Sequence, residues 1–319
     1  PNNCRVHLTL ADYYRENEEN ENSYNELKQA FKCENLNIDT KIRILVSYYQ
    51  LISIDKEMAS QAHELGRILI ETHPENTKAR IVYADVLYTD NKFQEAKEQY
   101  IIVLENEKSK SQVWTQVLFI QAEQSDFKGM LKTSKESLEY FPLEPLFYYF
   151  HGISNKWFKK YKEALISFET GVDFVVDNSN LLLEFYSSLA DIYHIQKKHN
   201  LSDKYYVKAL EIDSQNVLIL NNYAYYLSLR KENLDKAKEM SFRSNQLEPN
   251  NGTYQDTYAW VLYQMNEFEE AKEWLLKAIE NGGGGSAVIV EHYGDVLYRL
   301  GNLKEALKQW INARDIGGG

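Results

Sequence analysis

A small residue recurs along this chain at a nearly constant interval, and that recurrence restricts the fold more than any other feature. Ala62, Ala96, Ala164, Ala237, Ala271 and Ala306 share one phase, joined by Met130, Ser202 and, more loosely, Ser23. From Ser23 to Ala306 the intervals are 39, 34, 34, 34, 38, 35, 34 and 35 residues, so nine units of about 34 residues fill the 319-residue chain. Twelve residues before this anchor, thirteen at Ala224, a second small residue returns at Ala11, Ala84, Gly152, Ala190, Ala224, Ala259 and Gly294. An aromatic or leucine usually precedes it, as at Tyr83, Leu189, Tyr223, Tyr258 and Tyr293. Four residues after the anchor a large side chain comes back at Tyr100, Phe168, Tyr206, Leu275 and Trp310. A period of this length marks stacked supersecondary units.

Within a unit the apolar residues fall at helical spacing, which predicts two amphipathic helices of about 12–14 residues each. The small residues mark where the two helices cross, because a short side chain lets the backbones approach while large neighbours fill the gaps. Polar turns such as Thr89-Asp90-Asn91-Lys92 and Met265-Asn266-Glu267 join the helices. Pro74, Pro142 and Pro249, three of only 5 prolines, stop second helices. With 14 Gly against 24 Tyr and 13 Phe, breakers are few and aromatic packing groups many, so the chain reads as almost wholly helical. A single hairpin cannot bury its own apolar faces, so neighbouring hairpins must stack. The 38-residue interval adds about one helical turn around Gly171–Leu183, where Asp177-Asn178-Ser179-Asn180 ends one helix and caps the next.

These residues resemble the tetratricopeptide repeat (TPR) family. The resemblance is carried by Tyr258-Ala259-Trp260-Val261-Leu262 with Phe268, Ala271, Leu275 and Ala278, and again by Tyr293-Gly294-Asp295-Val296-Leu297 with Leu303, Ala306, Trp310 and Ala313. It covers nearly the whole chain, strongest over 77–171 and 183–316 and weakest over 4–76. It implies an all-α, right-handed superhelix, an α-solenoid of about nine helical hairpins. Residues 1–42 would form a divergent first hairpin, 43–182 TPR-like repeats, and 183–319 the C-terminal half of one continuous solenoid. The C-terminal units are also similar, more loosely, to those of large bacterial repeat proteins that are often exported or lipid-anchored, which implies a bacterial source.

Charge and motifs exclude several functions. With 36 Lys+Arg against 47 Asp+Glu the net charge is −11, the wrong sign for a nucleic-acid or anionic-membrane surface as main partner. No apolar run is long enough to span a bilayer. There is no nucleophile elbow, Walker loop, zinc-protease pair or Cys-x-x-Cys, so no catalytic residue, metal or cofactor is expected and the chain does not read as an enzyme. Gly282–Gly285 lacks the Gly-Lys-Ser/Thr of a phosphate loop and reads as a turn between repeats. Glu16–Glu21 reads as a solvated turn, and the 7 histidines as scattered helix-face or linker residues. Cys4 and Cys33 match no metal or redox spacing and read as two packed or free thiols. The chain opens at Pro1 rather than Met, as a processed or truncated piece would, so it is expected to be soluble, whether cytoplasmic or exported after loss of a signal.

Protein binding is the better-supported expectation. In the family it resembles, first helices line a concave groove that holds peptides. Counting from the small residues, that stripe carries Asn221, Asn222, Tyr225, Asp256, Trp260, Tyr263, Glu291, His292, Asp295, Tyr298 and Arg299. In earlier units it carries Asp85, Tyr88, Gln112, Gln116, Phe119, Tyr149, Lys156, Trp157, Ser188, Asp191 and His194. Asn bonds a peptide backbone in both directions, and Tyr and Trp give contact area at low entropy cost. Tyr225, Trp260 and Tyr298 have an alternative role as packing between adjacent first helices. The family's clamp for a C-terminal carboxylate needs basic residues where this chain has Leu218, Thr253 and Asp256, so that clamp is not expected, and the acidic groove favours a neutral or basic protein or peptide partner. At the C-terminus the last helix is expected to expose Leu307, Trp310 and Ile311, a terminal face through which a structural subunit could form a homo-oligomer or larger complex.

Overall fold

A computed structural model describes residues 4–317; the expectations that touch Pro1, Gly318 and Gly319 lie outside them. The described residues form helices without a strand, and the chain divides into two compact units, Pro1–Phe174 and Val175–Gly319. Unit 1 contains five hairpins: α1 (Cys4–Glu16) with α2 (Asn20–Phe31), α3 (Ile38–Ser47) and α4 (Tyr49–Ile52) with α5 (Lys56–Thr72), α6 (Thr77–Thr89) with α7 (Phe93–Asn106), α8 (Ser111–Glu123) with α9 (Phe127–Tyr140), and α10 (Pro145–Trp157) with α11 (Tyr161–Asp173). Unit 2 contains four: α12 (Ser179–Ile195) with α13 (His199–Ile212), α14 (Val217–Arg230) with α15 (Leu234–Leu247), α16 (Gly252–Gln264) with α17 (Phe268–Glu280), and α18 (Ala287–Arg299) with α19 (Leu303–Gly317). The all-α array of nine hairpins is the one the repeat predicts.

Every anchor from Ser23 to Ala306 is buried. The reason for small residues at the crossing is visible at Gly152 and Gly294: a Cβ there would lie 2.3 Å from the Phe168 ring and 2.6 Å from the Trp310 indole. Each unit then holds strings of core side chains that pass from hairpin to hairpin. In unit 2, Tyr206, Tyr223, Leu227 and Val261 belong to one cluster and Tyr258, Leu262, Leu275 and Val296 to the next.

Seven hairpin turns share one backbone solution, whereas the α14–α15 turn has an extra residue with Lys231 and Asn233 both at positive φ. Five residues before the anchor, Glu18, Asn91, Ser125, Lys159, Lys197, Asn266 and Gly301 all have positive φ. The N–H that follows reaches back five residues to a helix carbonyl, as in Lys160 to Asn155 at 2.9 Å and Lys198 to Tyr193 at 2.8 Å. This left-handed helix stop satisfies carbonyls the helix leaves open and turns the chain sharply into the second helix. First helices start on an asparagine cap at Asn37, Asn76, Asn178, Asn216 and Asn251, whose side-chain oxygens accept from N–H groups of the first turn.

The two long intervals have separate causes. The extra turn near Gly171–Leu183 belongs to the start of α12, a 17-residue helix capped by Asn178 as the sequence suggests. The 39-residue interval comes from the division of one first helix into α3 and α4, followed by a 17-residue α5.

Periodicity gives no hint of Lys41. Its fully buried side chain donates from Nζ to the carbonyls of Phe31 and Cys33 and to His73 Nε2, each at 2.8 Å. It therefore ties the ends of α2 and α5 to α3. Burial pushes its pKa down to about 8.

Candidate protein-interaction surface

In unit 2 the first helices α14, α16 and α18 pack side by side, and equivalent positions on them form rows. Counted from the helix starts after Asn216, Asn251 and Ser286, one row is Asn221, Asp256 and Glu291 and another is Ser228, Tyr263 and Tyr298; the α14–α15 turn holds one residue more than the others, and the exposed Leu229 lies one position beyond Ser228.

The first row is only partly available. Asp256 is 6 % exposed and accepts a hydrogen bond from His292 Nδ1 at 2.9 Å. Asn221 is 4 % exposed, and its Nδ2 donates to Asn222 Oδ1 at 3.2 Å, which fixes the half-exposed Asn222 amide. Glu291 is exposed. Tyr225 is half-buried, and burial together with the nearby Asp256 carboxylate raises its phenol pKa.

Trp260 bridges two helices. Its indole stacks on His292 with centroids 3.9 Å apart and on Tyr263 at 4.7 Å. Arg299 continues the chain of contacts, its guanidinium 4.3 Å from the Phe268 ring centroid and 5.6 Å from that of Tyr263. Tyr225, Asp256, His292, Trp260, Tyr263 and Arg299 thus form one connected layer. Its inner members are fixed by each other, while its outer edge remains in contact with solvent: Leu229 is 46 % exposed and Tyr298 is 54 % exposed.

Asp295 belongs to a different device. Its Oδ1 accepts from Trp310 Nε1 at 3.0 Å across the α18–α19 hairpin. The same fifteen-residue pairing recurs where Tyr206 donates to Asp191 at 2.5 Å and where Tyr100 donates to Asp85. Burial raises the Asp85 pKa and, first among its causes, the Tyr206 pKa. An aspartate on the first helix and a Tyr or Trp on the second therefore lock a hairpin through a buried polar bond, a role that the assignment of Asp85, Asp191 and Asp295 to a binding stripe did not include. The sequence signal is the spacing Asp-x14-Tyr/Trp.

Trp310 consequently lies half-buried over Gly294, whereas Leu307 and Ile311 are exposed on α19 as expected from their helix face. His194, placed on the stripe of α12, stacks on Tyr226 at 3.6 Å, and burial lowers its pKa. In unit 1 the stripe residue Trp157 is exposed and stacks on Phe127 at 4.2 Å. Among the described residues no group of three or more His, Cys, Asp and Glu is placed to hold a metal ion, and no helix is long and apolar enough to cross a membrane.

Comparison with known proteins agrees with the repeat and the hairpin geometry. The sequence profile of the tetratricopeptide repeat matches residues 183–216 and 254–281. The type IV pilus assembly protein PilF of Pseudomonas aeruginosa is 28 % identical over 136 residues, 42 % of this chain and 53 % of that protein. This chain therefore spans about half the length of that relative. A tetratricopeptide repeat protein from Parabacteroides merdae shares the fold with a TM-score of 0.58 at 14 % identity, covering 81 % of this chain and 99 % of that one. Residues 183–216 and 254–281 are thus matched as tetratricopeptide repeats, a repeat that generally mediates protein–protein interaction, and the buried small anchors and hairpins of the described residues have the helical-repeat fold of such proteins.

Proposed function

We propose that the first helices of unit 2 capture an extended peptide or a protein surface, without catalysis. The observation that carries this reading is the line Leu229, Tyr263 and Tyr298: one apolar or aromatic group near the C-terminal end of each of three successive first helices, Tyr263 and Tyr298 at equivalent positions and Leu229 one residue further along α14, with its two ends exposed. A line with one contact per helix suits a ligand that runs across the helices. Asn222, oriented by Asn221, supplies a backbone partner beside it. The exposed Glu291 carboxylate favours a neutral or basic segment. The Trp260–His292–Asp256 contacts hold the surface in shape, which lowers the entropy cost of binding.

The test is selection of short random peptides against the full chain, followed by affinity measurement on Leu229→Ser/Tyr298→Ser. Loss of at least about tenfold in affinity with an unchanged melting temperature supports the reading. Unchanged affinity refutes it.

A second reading, assembly through a terminal face, is favoured by the exposed row Leu303, Leu307 and Ile311 at four-residue spacing on α19. The PilF relative is named for pilus assembly, a setting in which either surface would meet a protein partner. Light scattering separates them: Leu307→Glu lowers the mass of an oligomeric preparation only if that face is the contact.

A further inference from the structure

The only 2 cysteines of the chain lie near each other although nearly a whole hairpin separates them. Cys4 opens α1 and Cys33 follows the end of α2; Cys4 faces the Asn35–Asn37 segment just beyond Cys33, and the two thiols, both free, lie close enough to interact. The arrangement is held from several sides. Cys33 N–H donates to the Ala30 carbonyl at 3.2 Å, and the Cys33 carbonyl accepts from Leu36 N–H at 3.2 Å and from Lys41 Nζ at 2.8 Å. Across the hairpin, Ser23 Oγ donates to the Ala11 carbonyl at 2.7 Å and His7 Nδ1 pairs with Glu26 at 2.6 Å, which fixes the register of α1 on α2. Cys4 also lines a cavity of about 400 Å³ with Arg5, Leu8, Leu36 and Thr40, within the size range of small-molecule sites. The pair thus combines proximity across the ends of one hairpin, a fixed backbone and a route for a small reagent at Cys4.

We infer that Cys4 and Cys33 form a thiol–disulfide exchange site that accepts a low-molecular-weight disulfide such as oxidised glutathione and closes to an intramolecular bond. The exchange begins at Cys4, which lines the cavity where Cys33 does not, while burial pushes the Cys33 thiol up to about 11 against the opposing pull of the Lys41 ammonium. The Cys4 thiolate attacks one sulfur of the reagent, forming a mixed disulfide and expelling a glutathione thiolate, which takes a proton. Cys33 then loses its proton to water and attacks the Cys4 sulfur, expelling the second glutathione. Two protein thiols are oxidised by two electrons and one glutathione disulfide is reduced to two thiols. The product joins the start of α1 to the segment beyond α2, closes a 30-residue loop from Cys4 to Cys33 and pins the first hairpin shut.

The test uses the full chain in oxidised glutathione, with peptide mapping without reductant, intact mass and hydrogen exchange. The expected product is a monomer lacking two hydrogen atoms, with Cys4 and Cys33 peptides joined and amide exchange in α1 slowed by at least about tenfold. Cys33→Ser should stop at one glutathione adduct on Cys4, which tests the order of attack even if the bridged form changes the fold. Two persistent glutathione adducts on the native chain, a disulfide-linked dimer only, or two free thiols in oxidant that modifies the urea-unfolded chain would each overturn the inference.

Discussion

The Trp260 indole and the His292 imidazole lie face to face across α16 and α18, 3.9 Å apart with planes within 15°, while the imidazole Nδ1 bonds the buried Asp256 carboxylate at 2.9 Å. Removing the imidazole leaves both partners wanting. His292→Ala is expected to cost about 2–3 kcal/mol in urea unfolding, from the lost stack and the unpaired buried carboxylate. Asp256→Ala/His292→Ala should cost less than the sum of the single changes by more than about 0.5 kcal/mol. Additive values would show that the pair is not coupled.

Gly294 and Gly285 make opposite predictions. Gly294→Ala drives a methyl into the Trp310 indole and disturbs its bond to Asp295, so a loss of about 1–3 kcal/mol is expected. Gly285 has nothing within 4 Å of an added Cβ, so Gly285→Ala should be neutral or slightly stabilising in the same assay.

The hairpin turns spend stability on non-glycine residues in the left-handed region. Ser125 at φ 53° and Lys159 at φ 57° stand where Gly301 serves in the last hairpin. Ser125→Gly and Lys159→Gly are each expected to raise stability by up to about 1 kcal/mol, read as a higher thermal midpoint.

The anchors, hairpins, polar turns and the cap at Asn178 were legible because helical period and backbone chemistry act within a few residues. What each polar stripe residue touches was less legible. Helical spacing places Asp256 and Asp295 on a face, yet one is taken by His292, 36 residues on, and the other by Trp310, 15 residues on. Lys41 was missed for a related reason: a lysine between apolar residues reads as solvent-facing, and only the meeting of three helix ends supplies acceptors for its ammonium.

Lys41 also predicts how stability changes with pH. Its folded-state pKa of about 8 lies below the ordinary lysine value of 10.5, so the unfolded chain holds more protons between them and stability rises with pH across that window. Burial lowers His73, His151 and His194 below 6.5, which adds a rise as pH climbs through the ordinary histidine range. Buried tyrosines such as Tyr100 and Tyr206 titrate above the ordinary 10.0, so their contribution is lost at higher pH, where the unfolded chain gives up its protons first. Lys41→Met should lose about 1–3 kcal/mol at neutral pH through the orphaned Phe31 and Cys33 carbonyls, and should flatten the rise above pH 8. A variant that keeps that rise would assign it elsewhere.

The most direct measurement of the interaction surface is amide hydrogen exchange on the full chain with and without a peptide selected against it. Slowed exchange should concentrate on α14, α16 and α18, centred on Leu229, Tyr263 and Tyr298, and should vanish in Leu229→Ser/Tyr298→Ser. Protection confined to the second helices α15, α17 and α19, or retained in that variant, would contradict binding on the first-helix face.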